Sequence, residues 1–149
     1  MHVTANPCTP AADNLAITAG AGQDGQAQTG IIIDRSLSGY PSNGAVIVSY
    51  KATLAASKKL TLSSVSVETS DASDMSGSTS LQTFADADIA VDSGSGSTLQ
   101  GCKKYHLTSL AGAKRYIRFK YTPDLNATGT DTAAISALAI FDVTTSAFA

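Results

Sequence analysis

The sequence predicts an all-β protein, a jelly-roll-like antiparallel β-sandwich of about eight strands with an extended N-terminal arm, a barrel and an immunoglobulin-like sandwich being the competing architectures, and three observations lead there. Short stretches alternate apolar and polar residues with a period of two, the spacing that sends successive side chains to opposite faces of a sheet. The stretches between them are built from Ser, Asp, Gly and Pro, the residues that make turns. The acids are 11 Asp to one Glu, Glu68. Asp closes turns by bonding its own backbone, whereas Glu and Lys populate long solvated helices.

Composition sets further bounds. The 149 residues hold 24 Ala, 19 Ser and 17 Thr beside nine aromatic residues and no Trp, so the core must be made of small and β-branched side chains. A chain of this length buries roughly 68–70% of its unfolded surface as one domain. Charged residues make up 15% of it and the net charge is −2, which gives no overall field to attract nucleic acid or an anionic membrane. Cys8 and Cys102 belong to no CxxC or Cys/His spacing, so neither a zinc site nor a disulfide framework is signalled, and buried or indifferent thiols are expected. The start, MHVTANPCTPAADN, has neither a basic cluster nor an apolar run of about seven, and no apolar stretch reaches about 18 residues. A soluble chain made in a cytoplasm is therefore expected, where the sequon at Asn126 carries no meaning.

Residues 1 to 29 show no sustained period and carry Pro7, Pro10, Gly20, Gly22 and Gly25. They read as an arm, either a loosely packed start to the fold or an extension lying on a neighbour, with a sandwich domain over residues 30 to 149. Strand signals begin at Ile31-Ile32-Ile33. After a turn cluster at 39 to 44, Val46, Val48, Tyr50, Ala52 and Leu54 share one strand face and Ser49, Lys51 and Thr53 the other. From Lys59 to Thr69 the apolar phase slips at Ser63-Ser64, which predicts a β-bulge or a strand buried on both faces. Two short strands are expected around Leu81 to Phe84 and Ile89 to Val91, then longer ones over Leu99 to Thr108 and Lys114 to Thr122, with a turn at Pro123-Asp124. The last, Thr132 to Val143, is apolar on both parities, as expected of a strand covered on both sides; its alanines would also tolerate a helix.

Candidate motifs are few. Gly20 to Gly25 matches G-x-G-x-x-G, but no helix follows to receive a pyrophosphate, so a flexible turn is the better account. Asp71, Asp74, Asp86, Asp88 and Asp92 could gather round calcium, yet no D-x-D-x-D-G loop with a distal Glu is present and turn capping explains them. His106 shares strand parity with Cys102, but positions i and i+4 on a strand stand roughly 13 Å apart and cannot hydrogen-bond directly. No catalytic constellation, metal site or cofactor is expected. The most informative run is Lys114 to Tyr121, which puts Lys114, Tyr116, Arg118 and Lys120 opposite Ile117 and Phe119. A solvated face guarding a sheet against edge association is one reading and pairing with an acidic protein surface another, while three cations neutralise too few phosphates for firm nucleic-acid binding.

The stretch from Leu110 to Ile140, LAGAKRYIRFKYTPDLNATGTDTAAISALAI, resembles a segment of small structural proteins encoded in tailed-phage and prophage head-gene clusters. There a GAKRY strand is followed by T-P-D-L-x-A-x-G-T-D-T and an Ala-rich apolar end. Glu68 to Ser76, with its S-D-x-S-D, is similar to that family's strand and turn; the two segments cover about a quarter of the chain, and residues 1 to 67 carry no part of the resemblance. It implies a capsid decoration or cementing protein with a jelly-roll fold, bound outside the virion head to the major capsid protein as a homo-oligomer, a trimer or a dimer. The family pattern holds no catalytic motif. On this reading an arm would anchor through Val3, Leu15 and Ile17, and the stripe of Lys114, Tyr116, Arg118 and Lys120 would meet the capsid. A carbohydrate- or receptor-binding module of a tail or spike is the rival, against which the absence of Trp counts mildly, and a hydrolase would need a base the chain barely supplies.

Overall fold

The computed structural model describes residues 8 to 127 and 129 to 141. Ten strands run in chain order: β1 (Cys8–Thr18), β2 (Gln28–Thr29), β3 (Ile33–Asp34), β4 (Gly44–Leu54), β5 (Lys59–Ser70), β6 (Thr79–Thr83), β7 (Ala87–Val91), β8 (Ser97–Leu107), β9 (Tyr116–Leu125) and β10 (Thr132–Phe141). One 3-10 turn, Arg35–Ser38, is the sole helical element among the described residues.

Sheet A has the order β1-β10-β4-β8. In sheet B, β9 and β5 form the centre, with β2 and β3 together on the far side of β9 and β6 and β7 together on the far side of β5. Every pairing is antiparallel. Counting each of those short pairs as one broken strand leaves eight strands, four to a sheet, and the chain changes sheet at almost every connection. That is the jelly roll.

The inner rows of the two sheets form one core. Val46, Val48 and Ala52 of β4 and Ile135, Ala137 and Ala139 of β10 face Leu60, Leu62, Val65 and Val67 of β5 and Ile117, Phe119 and Tyr121 of β9. An aromatic line crosses it, Phe84 edge-on to Tyr105 at 5.1 Å and Phe119 stacked on Tyr121 at 5.3 Å. Burial pushes the phenols of Tyr105 and Tyr121 up to about 12.

The slip at Ser63-Ser64 is a bulge: the β5–β9 register shifts between Ser63 and Ser66, Ser64 takes φ +50°, and Asp86 accepts its amide at 3.0 Å. The arm is corrected for residues 8 to 29. They belong to the sandwich, because β1 pairs with β10 from Cys8↔Ile140 to Thr18↔Thr132 and buries Ala11, Ala12 and Ile17. Two register shifts between Pro10 and Leu15 break its parity, so no period of two survives in the sequence. Gly30 then lies so close to the Ala11 carbonyl that no Cβ would fit, and there Ile31 donates to that carbonyl at 2.9 Å, tying the two sheets together.

The expected turn at Pro123 is likewise a continuing strand. Pro123 pairs with Leu62, and its carbonyl accepts from Gly25 on the side away from β5, where the missing N–H interrupts no ladder. Nor is β10 covered on both sides among the described residues. Ala133, Ile135, Ala137 and Ala139 are buried, while Leu138 in the opposite row is 38% exposed.

Candidate partner-binding surface

The basic stripe lies on the outer face of sheet B, and carboxylates answer it there. Glu68 of β5 stands across from Arg118, and its two oxygens meet Arg118 Nη2 at 2.8 Å and Lys120 Nζ at 3.3 Å. Burial would push Glu68 up, but the hydrogen bonds from Arg118 and Lys120 outweigh it and hold the group below the usual carboxylate range. Lys114 lies 3.4 Å from Asp71, and Tyr116 lies under the Arg115 guanidinium at 5.1 Å. Two carboxylates thus offset three cations, and the stripe presents little free charge.

The arm candidates divide. Val3 lies outside the described residues. Ile17 is buried in the core at 3% exposure, so its side chain is not a free anchor. Leu15 is half-buried and lines, with Gln28 and Tyr121, a depression of about 260 Å³ between β1 and β2.

Two of the aspartates cap turns: Asp74 accepts from the Ser76 amide, and Asp92 from the amides of Ser57, Gly94 and Gly96 and the Ser97 hydroxyl. Asp88, inside β7, instead accepts from the Lys59 ammonium and the Thr61 hydroxyl across the ladder to β5. The Ser97 hydroxyl and the two glycine amides hold Asp92 far below the ordinary aspartate range. In the Gly20 to Gly25 segment all three glycines take positive φ, and Asp24 accepts from Gly20 and from Leu125 across the turn.

A different surface emerges on the outer face of sheet A. The register places Cys8, Ile140, Ala45 and His106 in one row and Pro10, Leu138, Ile47 and Lys104 in the next. Further along, Cys102 stands beside Ser49, and Lys51 beside Gln100. One end of the face is therefore apolar, with a shallow cavity of about 350 Å³ lined by Asn43, Ala45, Ile47, Lys104, His106 and Ile140. Toward β8 it is basic: Lys51 of β4 and Lys104 of β8 have no carboxylate within ion-pair distance among the described residues, and on the described strands of sheet A the one acid is Asp13. Both thiols are exposed rather than buried, at opposite edges of this sheet.

Sequence reasoning missed this face because its residues come from four distant strands. The available signal is the second apolar parity of β10, Leu138 and Ile140, which from sequence predicts coverage and in the structure marks an uncovered apolar row.

No protein-family model matches the chain, and no curated protein sequence matches it. A chain from the structure of infectious bursal disease virus, Gx strain, aligns over 91% of this chain and 37% of its own length, at 13% identity and a TM-score of 0.38. This chain thus spans little more than a third of that one, and the jelly-roll assignment rests on strand order rather than on the likeness.

Proposed function

We propose that the chain is a virion structural protein that binds the outside of an assembled capsid, as a decoration or cementing protein, and carries out no reaction. The observation that carries this reading is the outer face of sheet A, where an apolar end and a basic edge lie side by side on a rigid sheet. Apolar area supplies affinity and charge supplies steering and specificity, so such a face fits a capsid surface that is apolar with an acidic rim. The likeness of Leu110 to Ile140 to phage head proteins supports the same role, with the major capsid protein as the proposed partner. Association of copies into a dimer or trimer would multiply weak contacts on a symmetric shell.

The test is to purify particles carrying the chain, measure its ratio to the major shell protein, and compete free protein for bare shells. A fixed ratio, with binding lost in Ile47→Glu or Leu138→Glu, is the expected result. Absence from particles, or shell binding indifferent to both substitutions, would refute the reading.

A further inference from the structure

Among the described residues the two sheets have four edges, and three of them are blunted. β1 carries Pro10 and two register shifts; β2 and β3 are two residues each; β6 and β7 are five residues each. β8 differs. Its 11 residues pair with β4 from Ser97↔Leu54 to Leu107↔Gly44 without a shift, and no described strand pairs with its other side. An edge of this kind offers a row of unpaired N–H and C=O groups to an incoming strand.

The direction of those groups follows from Gln82 of β6. It donates to the His106 carbonyl at 2.8 Å and accepts from the Thr108 amide at 3.2 Å, so even-numbered residues turn their backbone groups away from β4. Gln82 closes one end only. Thr98, Gln100, Cys102 and Lys104 keep theirs toward solvent, and residues 100 to 104 are all exposed.

Charge selects the occupant. Lys104 belongs to the outer row and Lys103 to the core-side row opposite Val48, which puts a cation on either face of the edge. A second copy of β8 would bring four lysines into one seam, where like charges repel; an acidic strand would meet both cations favourably. At Gly101, between them and the end of the edge, the Tyr50 hydroxyl would lie 2.7 Å from an added Cβ.

We infer that the edge of β8 from Thr98 to Lys104 is a strand-addition site for an extended acidic segment of a partner protein, which becomes the fifth strand of sheet A. This goes beyond shell binding by naming how a partner is held, and it is tested without a shell. Amide exchange is followed in the full chain with a short peptide of threonine and glutamate, and with its threonine and lysine counterpart. Exchange at Gln100, Cys102 and Lys104 is expected to slow about tenfold with the acidic peptide alone. The joint Lys103→Glu and Lys104→Glu variant should reverse that preference. Gln100→Pro should abolish binding with Tm little changed, because it removes an outward amide and leaves the ladder to β4 intact. Equal slowing by both peptides, slowing by neither, or protection that rises with protein concentration alone would overturn the inference. The last would give the edge to a second copy, and none of the three bears on whether Ile47 and Leu138 hold the chain on particles.

Discussion

Glu68 and Arg118 face each other across the β5–β9 ladder and join through a 2.8 Å contact, so the chain's one glutamate answers the centre of its most basic run. With its side chain 14% exposed, Glu68 is better shielded than a surface partner. Glu68→Gln should cost about 1 kcal/mol in urea unfolding, since a charge-assisted contact is weakened while Arg118 stays half-buried. The same change frees Arg118 and Lys120 and should strengthen retention on a cation-exchange column at neutral pH.

Asp92 and Asp34 both sit far below the ordinary aspartate value of 3.8, Asp92 through the Ser97 hydroxyl and glycine amides and Asp34 through Arg115 and Ser36. A folded-state value below the unfolded one means that the stabilisation is complete above the ordinary value and is lost as pH falls below it. Tm should therefore be level from neutral pH down to about pH 5 and drop toward about pH 2. Asp92→Asn should lower the neutral plateau and flatten the acid limb, as followed by circular dichroism.

Gly30→Ala should destabilise the fold by about 2–3 kcal/mol or more, because the new methyl meets the Ala11 carbonyl and the backbone must give way. Denaturant midpoints measure it. Thr29→Ala, one residue earlier on an exposed position, should change the midpoint little.

Arg35 is 4% exposed and has no carboxylate partner among the described residues; its guanidinium donates to the carbonyls of Pro41, Leu110, Ala113 and Lys114. Arg35→Met should cost about 3 kcal/mol, since four carbonyls lose a charged donor. Enhanced exchange in residues 108 to 115 and around Pro41 would confirm that the arginine pins the β8–β9 loop to its own segment.

Strands with unbroken alternation were legible from sequence, β4 above all, where Val46 to Leu54 keep one parity. The bulge in β5 was also legible, because the slip from Leu62 to Val65 leaves a mark in the phase of the apolar residues. β1 was not, since its extra residues between Pro10 and Leu15 erase the phase that identifies a strand. The candidate surface was hidden for a different reason. Lys120 and Glu68 lie 52 positions apart, and the row Pro10, Leu138, Ile47, Lys104 draws on four separate segments, so only strand pairing reveals which charge is spent and which apolar side chain is left uncovered.

The place of β10 between β1 and β4 also orders events during synthesis. β1 is made first and its partner in sheet A last: Cys8 waits for Ile140. β5 can meet β6 and β7 as soon as they emerge, and β4 can meet β8, but the slow, long-range step is the insertion of the final strand into the gap that β1 and β4 leave. The row of Ile47, Leu138 and Ile140 does not exist as a surface before that insertion. A partner reading this face would bind finished molecules and pass over incompletely folded chains.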